Sequence, residues 1–255
     1  MGNFKKELDT AVSIAKEAGQ IMLKYFDGEQ EIEKKEDNSM VTIADKLINS
    51  LVIKRLTVEF PDDGVIGEEE SNTEYGMGRK WLCDPIDGTR AYIWGTPTCM
   101  FSLALAVDGK PVVGVAYDPF LDRMYTGIIG EKSFCNNKVI SVSNKDLKTG
   151  IIAVTSSVKS FFKTKYLQKF IDDKIALASF SGAVYKALLV AKGKFVGYVE
   201  GGIGAHDMAA ADVILKGAGG KITSLEGKNL DYSKPFKGVI VSNSVVHEEL
   251  VMYCQ

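Results

Sequence analysis

The chain has 255 residues, 45% hydrophobic and 25% charged, which is usual for a globular protein with a sizeable core. Its 31 basic and 33 acidic residues leave a net charge of −2, so we expect no nucleic-acid partner. No apolar run approaches the roughly 20 residues of a membrane-spanning helix, and the N-terminus lacks the apolar core of a signal peptide. We therefore expect a cytoplasmic protein without a membrane partner. The four cysteines are too widely spaced for a zinc site, and we expect free thiols.

The first half of the chain predicts two helices followed by strands. Apolar residues recur at helical spacing over 4–26, and again from Thr42 up to Pro61. Two apolar runs on either side of Asp108 and Gly109 predict a β-hairpin. Further strands are expected at 65–66, 80–83 and 124–126.

The second half predicts alternating strands and helices. Strands are expected at 151–155, 174–178, 195–199, 221–225 and 238–242, and helices at 158–172, at 182–192, from Ala205 to the Gly219–Gly220 pair, and at the C-terminus. Interleaved helices and strands indicate layers of α and β structure. The hairpin makes at least one sheet antiparallel or mixed, which argues against a pure Rossmann arrangement. Neither G-x-G-x-x-G after a strand nor a P-loop is present.

The segment WLCDPIDGT at 81–89 runs an apolar strand into two carboxylates, Asp84 and Asp87. Pro85 fixes its own φ and forces an extended residue before it, so this turn can aim both carboxylates into one space. Carboxylates held so close repel each other, and a hard cation such as Mg²⁺ is the simplest remedy. The alternative is an Asp-Pro turn in which Asp87 caps a helix starting at Gly88. Such a helix would offer the backbone N–H groups of Gly88 and the hydroxyl of Thr89 to an anion.

Two more acidic segments lie at junctions between strands and helices. Glu68, Glu69 and Glu70 follow a short apolar strand, and their alternative interpretation is a solvated acidic loop. Asp207 stands at the start of an apolar helix after a glycine-rich loop, where it could simply be an N-terminal cap. Each segment is ambiguous alone, but three acidic sites at such junctions favour a functional interpretation.

These motifs carry a resemblance to a known family. The chain resembles the inositol monophosphatase family of lithium-sensitive, Mg²⁺-dependent phosphatases over nearly its whole length. One signature is complete in its D-P-I-D-G-T core at 84–89, and the G-E-E motif lies upstream at 67–69. The second signature stands as H-D-M-A-A at 206–210, with A-G-G at 218–220. The motifs occur in the right order and at the right separation.

The resemblance implies the fold and the assembly. The fold class would be α/β, as a five-layer αβαβα sandwich of the inositol monophosphatase/fructose-1,6-bisphosphatase type. Residues 1–255 would form a single domain with subdomains at about 1–145 and 146–255 and the active site between them. A homodimer, two or three Mg²⁺ ions per site and inhibition by lithium are implied in the same way.

The resemblance also implies roles for individual residues. Glu68, Asp84, Asp87, Asp207 and the backbone carbonyl of Ile86 would bind metal. Asp87, Gly88, Thr89, Glu200 and Asp207 would bind substrate, with the amides of Gly88 and Thr89 on the phosphate and Glu200 receiving inositol hydroxyls. Glu68, Thr89 and Asp45 would be catalytic: Asp45 pairs with Thr89, and Thr89 and Glu68 orient the attacking water.

The chemistry explains why such a site needs carboxylates and metal. A phosphate monoester carries about two negative charges near neutral pH, and its spontaneous hydrolysis is among the slowest reactions known. Magnesium ions held by carboxylates lower the pKa of water, orient it and neutralise the leaving oxygen. We therefore expect a Mg²⁺-dependent phosphomonoesterase that hydrolyses a small phosphorylated metabolite, with inositol monophosphate as the first candidate, by attack of a metal-activated water.

Three residues depart from the inositol branch and leave alternatives open. Arg90 makes the motif D-G-T-R, which resembles the histidinol-phosphatase branch, and Lys186 resembles a lysine of the branch that dephosphorylates 3′-phosphoadenosine 5′-phosphate. The alternative for both is a solvent-facing helix charge. His206 replaces the usual tryptophan. A regulatory or binding protein on the same scaffold is the alternative outside the enzymes.

Overall fold

The computed structural model describes residues 4–28, 32–34, 39–157 and 164–255. The two helices predicted from the apolar spacing in the first half of the chain are confirmed. Helix α1 (Lys5–Phe26) buries a stripe of side chains from Ala11 to Met22, because residues three or four apart share one helix face. Helix α2 (Ile43–Glu59) ends just before Pro61, whose ring restricts the preceding residue to an extended conformation.

A seven-stranded sheet lies against these helices. After a two-stranded ribbon, β1 (Ile32–Lys34) and β2 (Met40–Thr42), its strands are β3 (Gly64–Gly67), β4 (Arg79–Asp87), β5 (Met100–Val107), β6 (Lys110–Asp118), β7 (Arg123–Ile128), β8 (Phe134–Cys135) and β9 (Lys138–Val139), side by side in chain order. Within this sheet only β3 and β4 pair in parallel, and the other neighbouring strands are antiparallel. The predicted hairpin is confirmed: Asp108 and Gly109 have φ of 49° and 73°, as this two-residue turn requires.

The second half of the chain forms a five-stranded sheet and most of the remaining helices. Its strands are β10 (Ile151–Val154), β11 (Ala176–Ser179), β12 (Gly197–Glu200), β13 (Lys221–Thr223) and β14 (Val239–Ser242), in the order β11-β10-β12-β14-β13. The helices that follow α2 are α3 (Thr89–Ile93), α4 (Lys165–Asp172), α5 (Ala183–Ala191), α6 (Ala205–Gly217) and α7 (His247–Cys254). Strand β10 runs parallel to both of its neighbours.

The elements stack in five layers, and hydrophobic cores fill the spaces between the helices and the sheets. The middle core is shared by the two sheets. Leu103 and Leu105 of β5 face α1 and α2, whereas Ala104 faces α5 and α6. Ala153 of β10 joins that middle core, and Ile152 faces α4 and α7 on the outer side. Because successive residues of a strand point to opposite faces, the order is helices, sheet, helices, sheet, helices. The predicted αβαβα sandwich is confirmed.

Differences from the predicted elements are confined to ends and to short strands. Strand β4 continues to Asp87 instead of ending at Cys83, because an irregularity in its pairing extends the ladder. Strands β1, β2, β8 and β9 have two or three residues each, too few for a periodic pattern. Of the helix predicted at 158–172, the structure describes Lys165–Asp172, and 158–163 lie outside the described residues. The cysteines are free. No helix in the described ranges is long and apolar enough to cross a membrane.

His247, at the start of α7, is a buried titratable group away from the acidic segments. Its ring nitrogens lie 3.0 Å from the Thr223 hydroxyl and 2.8 Å from the Ser242 hydroxyl. Burial, with the nearby charge of Lys221, lowers the pKa of His247 to about 4. The unfolded chain binds this proton near pH 6.5 and the folded chain does not. The stabilising effect is therefore complete above about pH 6.5 and is lost as the pH falls towards 4.

We expect the His247→Gln variant to lose this part of the pH dependence. Between pH 7 and pH 4.5 the free energy of unfolding of the wild type should fall by about 2 kcal/mol more than that of the variant. Urea unfolding of both proteins at pH 7 and pH 4.5 measures how far the free energy of unfolding falls in each. An identical fall in the two proteins would contradict the assignment.

Candidate active site

Glu68 and Asp84 lie side by side because β3 and β4 are parallel. Gly67 pairs with Cys83, so Glu68 and Asp84 are the next residues in this register, and the backbone N–H of Glu68 donates to the carbonyl of Cys83 at 3.1 Å. The predicted segments therefore meet, as the motif order implied. The negative charge of Glu68 acts directly on Asp84.

A bulge in β4 brings Asp84 and Asp87 to the same side. Asp84 pairs with Ser102 and Asp87 pairs with Met100, so the two residues between the aspartates stand opposite a single residue of β5. In a regular strand, residues three apart point to opposite faces. The extra residue in the bulge reverses that relation, and both carboxylates are buried, each residue being 2% exposed.

Asp87 is held by the N-terminus of helix α5. Its Oδ1 accepts from the backbone N–H of Ala183 at 2.6 Å, and its Oδ2 accepts from that of Tyr185 at 3.1 Å. Asp87 thus caps α5, 96 residues later in the chain, and the alternative in which it caps its own following helix is wrong. Gly182 makes this approach possible, because its φ of 99° is in the left-handed region.

Asp207 completes a cluster of three carboxylates. It lies in the first turn of α6, where its Oδ2 accepts from the backbone N–H of Gly204 at 2.8 Å. One ligand oxygen from each of Asp84, Asp87 and Asp207 lies within 4.8 Å of the other two. We call these three residues the acidic cluster; Glu68 adjoins it through its charge on Asp84 and Asp207.

The acidic cluster fits a divalent cation. Burial, and then the charges of Glu68 and Asp87, raise the pKa of Asp84 well above its usual range. Burial and the charge of Asp207 raise the pKa of Asp87 to about 7, against the effect of the amides of α5. Asp84 Oδ1 is buried and accepts no hydrogen bond from any residue that the structure describes. Such an atom is costly unless it meets a partner, and several clustered oxygen ligands suit Mg²⁺.

Asp45 and Thr89 do not form the expected pair in this structure. The Thr89 hydroxyl donates to the carbonyl of Ile86 at 3.1 Å. Asp45 Oδ2 instead accepts from the backbone and the hydroxyl of Thr42, at 2.8 and 2.6 Å, which closes a capping box on α2. Within the described ranges, Asp45 Oδ1 is buried and accepts no hydrogen bond. Burial raises the pKa of Asp45 to about 7, and the charge of Glu68 adds to that rise.

Gly88 lies where two segments of the chain approach closely. Its φ of 83° is in the left-handed region. A Cβ at this position would lie 3.0 Å from the carbonyl oxygen of Thr98 and 3.1 Å from the Cα of Gly182. Glycine is therefore required at position 88. Gly88 and Thr89 are the residues whose amides are predicted to bind the phosphate, and we call this pair the phosphate loop. Helix α3, which begins at Thr89, has only five residues.

Glu200 lies at the end of β12 in an ion pair that the motifs did not indicate. The ammonium of Lys186 lies 2.7 Å from its Oε2, and the hydroxyl of Tyr198 donates to the same oxygen at 2.7 Å. Lys186 is buried, so the alternative of a solvent-facing charge is wrong for this residue. The sequence does contain a signal: Lys186 is the one charged residue in the otherwise apolar helix AVYKALLVA, a pattern typical of a helix buried on all sides.

Arg90 and His206 flank the site without joining the cluster. Arg90 is exposed, and its guanidinium lies 5.8 Å from the centre of the Trp94 ring. Arg90 and Trp94 line a cavity of about 280 Å³ together with Phe180. The Nε2 of His206 lies 3.6 Å from Asp207 Oδ2. A larger cavity of about 530 Å³ lies at the other end of α6 and contains none of the predicted site residues.

Known proteins resemble this chain over almost its whole length. The profile described as "Inositol monophosphatase family" matches residues 5–255. "Inositol monophosphatase" of Dictyostelium discoideum is 31% identical over 235 residues, covering 88% of this chain and 86% of that protein. "Histidinol-phosphatase" of Chlorobaculum parvum is 31% identical over 257 residues, covering 96% and 95%. A solved structure of "IMPase/NADP phosphatase complexed with Mg2+ and phosphate" is 25% identical with a TM-score of 0.86, covering 97% of this chain and 95% of that one.

Proposed function

This chain belongs to the inositol monophosphatase family, and on that premise we propose that it hydrolyses inositol monophosphate or a closely related polyol phosphate with Mg²⁺. The family and its relatives are named as phosphatases, so the chain is a phosphoric monoester hydrolase that acts on small phosphorylated substrates. The observation that carries the proposal is the acidic cluster, three carboxylates within 4.8 Å of one another, in which Asp87 directly precedes Gly88, where we propose that the phosphate binds.

The metal ligands of the proposal are the carboxylates and one carbonyl. Glu68, Asp84, Asp87, Asp207 and the carbonyl of Ile86 would hold two or three Mg²⁺ ions. When bound, these ions would neutralise phosphate charge and lower the pKa of a water molecule. The buried Asp84 Oδ1 without a hydrogen-bond partner supports the assignment, as does the magnesium in the name of a relative's structure.

The remaining residues would position the phosphate and the water. Backbone N–H groups of Gly88 and Thr89 would bind the phosphate, since they lie at the start of a helix where N–H groups are free to bind an anion. The Thr89 hydroxyl and the Glu68 carboxylate would orient the water for attack opposite the leaving group. Asp45 Oδ1, which has no hydrogen-bond partner, is the acceptor that we assign to the Thr89 hydroxyl during turnover.

Two features bear on the choice of substrate. Glu200 offers a carboxylate near Asp207. Burial raises the pKa of Asp207, and the charge of Glu200 raises it further. A carboxylate suits the hydroxyls of a polyol. Lys186 is committed to Glu200 and is 2% exposed, so it is not available to a nucleotide phosphate. Histidinol phosphate is the second candidate, because Arg90 gives the motif D-G-T-R, which resembles the histidinol-phosphatase branch, and a histidinol-phosphatase is 31% identical.

The experiment is phosphate release from a small panel, with Mg²⁺ present and with Mg²⁺ chelated. The panel contains inositol 1-phosphate, histidinol phosphate, fructose 1,6-bisphosphate and 3′-phosphoadenosine 5′-phosphate. We expect Mg²⁺-dependent release with the highest kcat/KM for inositol 1-phosphate. Preference for histidinol phosphate would select the second candidate. No release from any of them would overturn the proposal. Inhibition by LiCl and a homodimer stay predictions of the family resemblance.

A further inference from the structure

Lys186 is a buried cation with a complete set of partners. Its Nζ lies 2.7 Å from Glu200 Oε2 and donates to the carbonyl of Val154 at 3.2 Å. It also lies 4.6 Å from the centre of the Tyr198 ring, whose face attracts a cation. Burying an ammonium group is costly unless it is paired, so these contacts determine where the charge lies.

The carboxylate that pairs with Lys186 is the less buried member of the ion pair. Glu200 ends β12, and 13% of its side chain is exposed. Burial alone would raise the pKa of Glu200, but the charge of Lys186 and its hydrogen bond lower it below the usual value. Glu200 is therefore ionised, and the ion pair as a whole carries no net charge. The negative charge of Glu200 also acts on Asp207 of the acidic cluster.

One helix fixes both ends of this arrangement. The first turn of α5 binds the Asp87 carboxylate through the amides of Ala183 and Tyr185. The next residue, Lys186, binds Glu200 from the same turn of the helix. The separation between the predicted phosphate end and the predicted leaving-group end of the site is thus set by a single rigid element.

We propose that Lys186 determines specificity by keeping the Glu200 subsite electrically neutral, which favours a leaving group with uncharged hydroxyls over one with an ammonium group. An unpaired carboxylate in a partly buried site attracts a cation much more strongly than it attracts a hydroxyl. With Lys186 in place, the carboxylate of Glu200 is already paired with a cation. The charge of Lys186 also repels the ammonium of a cationic leaving group. Lys186 acts through Glu200 and is a positioning residue. The inference rests on the proposed function, in which Glu200 meets the leaving group.

The test compares a cationic and a neutral substrate in the same variants. The quantity is the ratio of kcat/KM for histidinol phosphate to that for inositol 1-phosphate at pH 7.5. We expect Lys186→Met to raise this ratio at least about 10-fold, since it removes one charge from a partly buried pair. Glu200→Gln leaves the cation unpaired and should lower the ratio. The double variant Lys186→Met with Glu200→Gln should return it to within about 3-fold of the wild type.

Matched controls separate charge from folding. Lys186→Arg keeps the charge and should keep the wild-type ratio, and Lys194→Met removes an exposed ammonium in the turn after α5 and should leave the ratio unchanged. If Lys186→Met does not fold, Glu200→Gln and the double variant decide the question. A ratio that is unchanged in every folded variant of the pair overturns the inference while the proposed function stands. Absence of Mg²⁺-dependent release from both substrates in the wild type overturns the proposed function itself.

Discussion

The Asp84→Asn variant should lose at least about 10³-fold in Mg²⁺-dependent turnover and yet be more stable than the wild type without metal. Asp84 is buried beside Glu68, Asp87 and Asp207, and its Oδ1 accepts no hydrogen bond. Removing one of several crowded charges relieves repulsion, and replacing a buried charge by a neutral group often stabilises a fold by about 1–3 kcal/mol. Phosphate release and urea unfolding in a chelating buffer measure the two effects.

A second buried aspartate gives the control for this pair of effects. Asp118 is fully buried on β6, where its Oδ1 accepts from the backbone N–H groups of Phe120 and Leu121 at 3.0 and 3.1 Å. Its Oδ2, like Asp84 Oδ1, has no hydrogen-bond partner among the described residues, but the nearby charges of Arg123 and Lys192 favour its ionised form. Asp118→Asn should therefore keep turnover and should not gain stability, because the carboxylate is a turn cap beside cations and its removal relieves no repulsion. Wild-type turnover in Asp84→Asn would contradict the metal assignment. A loss of turnover together with a loss of metal-free stability would contradict the electrostatic account.

Substituting Gly182 by alanine should damage both the fold and the chemistry. Its φ of 99° disfavours any residue with a Cβ, and the added Cβ would clash with the carbonyl oxygen of Thr98. We expect a loss of about 2–3 kcal/mol in the free energy of unfolding. Because the next residue, Ala183, holds Asp87 at 2.6 Å, a shift of this segment should also lower turnover about 100-fold.

The control for this variant is another glycine near the site. Gly202 lies two residues after Glu200, its φ lies outside the left-handed region, and nothing among the described residues lies within 4 Å of the position of an added Cβ. Gly202→Ala should therefore change the free energy of unfolding by less than about 0.5 kcal/mol. Unfolding midpoints and kcat for the two variants give the comparison. Equal effects at Gly182 and Gly202 would show that the close approach at Gly182 has no role.

The order of the motifs was enough to predict that the acidic segments meet. Glu68 follows β3 and Asp84 lies within β4, two strands that turn out to be parallel neighbours, and the charge of Glu68 acts on Asp84 as the resemblance implied. Asp207 could be placed at the start of a helix from its glycine-rich loop. These features depend on local signals that the chain carries within a few residues of each carboxylate.

Contacts between distant segments could not be predicted in the same way. Nothing near Asp87 indicates that it caps a helix 96 residues later, and nothing near Glu200 indicates that Lys186 covers it. Asp45 and Thr89 do not pair in this structure: Thr42 donates to Oδ2 of Asp45, and the Thr89 hydroxyl donates to the carbonyl of Ile86. Such choices among hydrogen-bond partners depend on tertiary distances, which residue patterns do not contain.

The central claim is that the acidic cluster is a Mg²⁺ site, and the most direct test is the melting temperature as a function of Mg²⁺ concentration. A ligand that binds the folded state alone raises the free energy of unfolding with the logarithm of its concentration. At constant ionic strength, we predict a saturable rise in melting temperature for the wild type and a flat response for Asp84→Asn. Equal rises in both proteins, or a flat wild-type response up to tens of millimolar Mg²⁺, would contradict the claim.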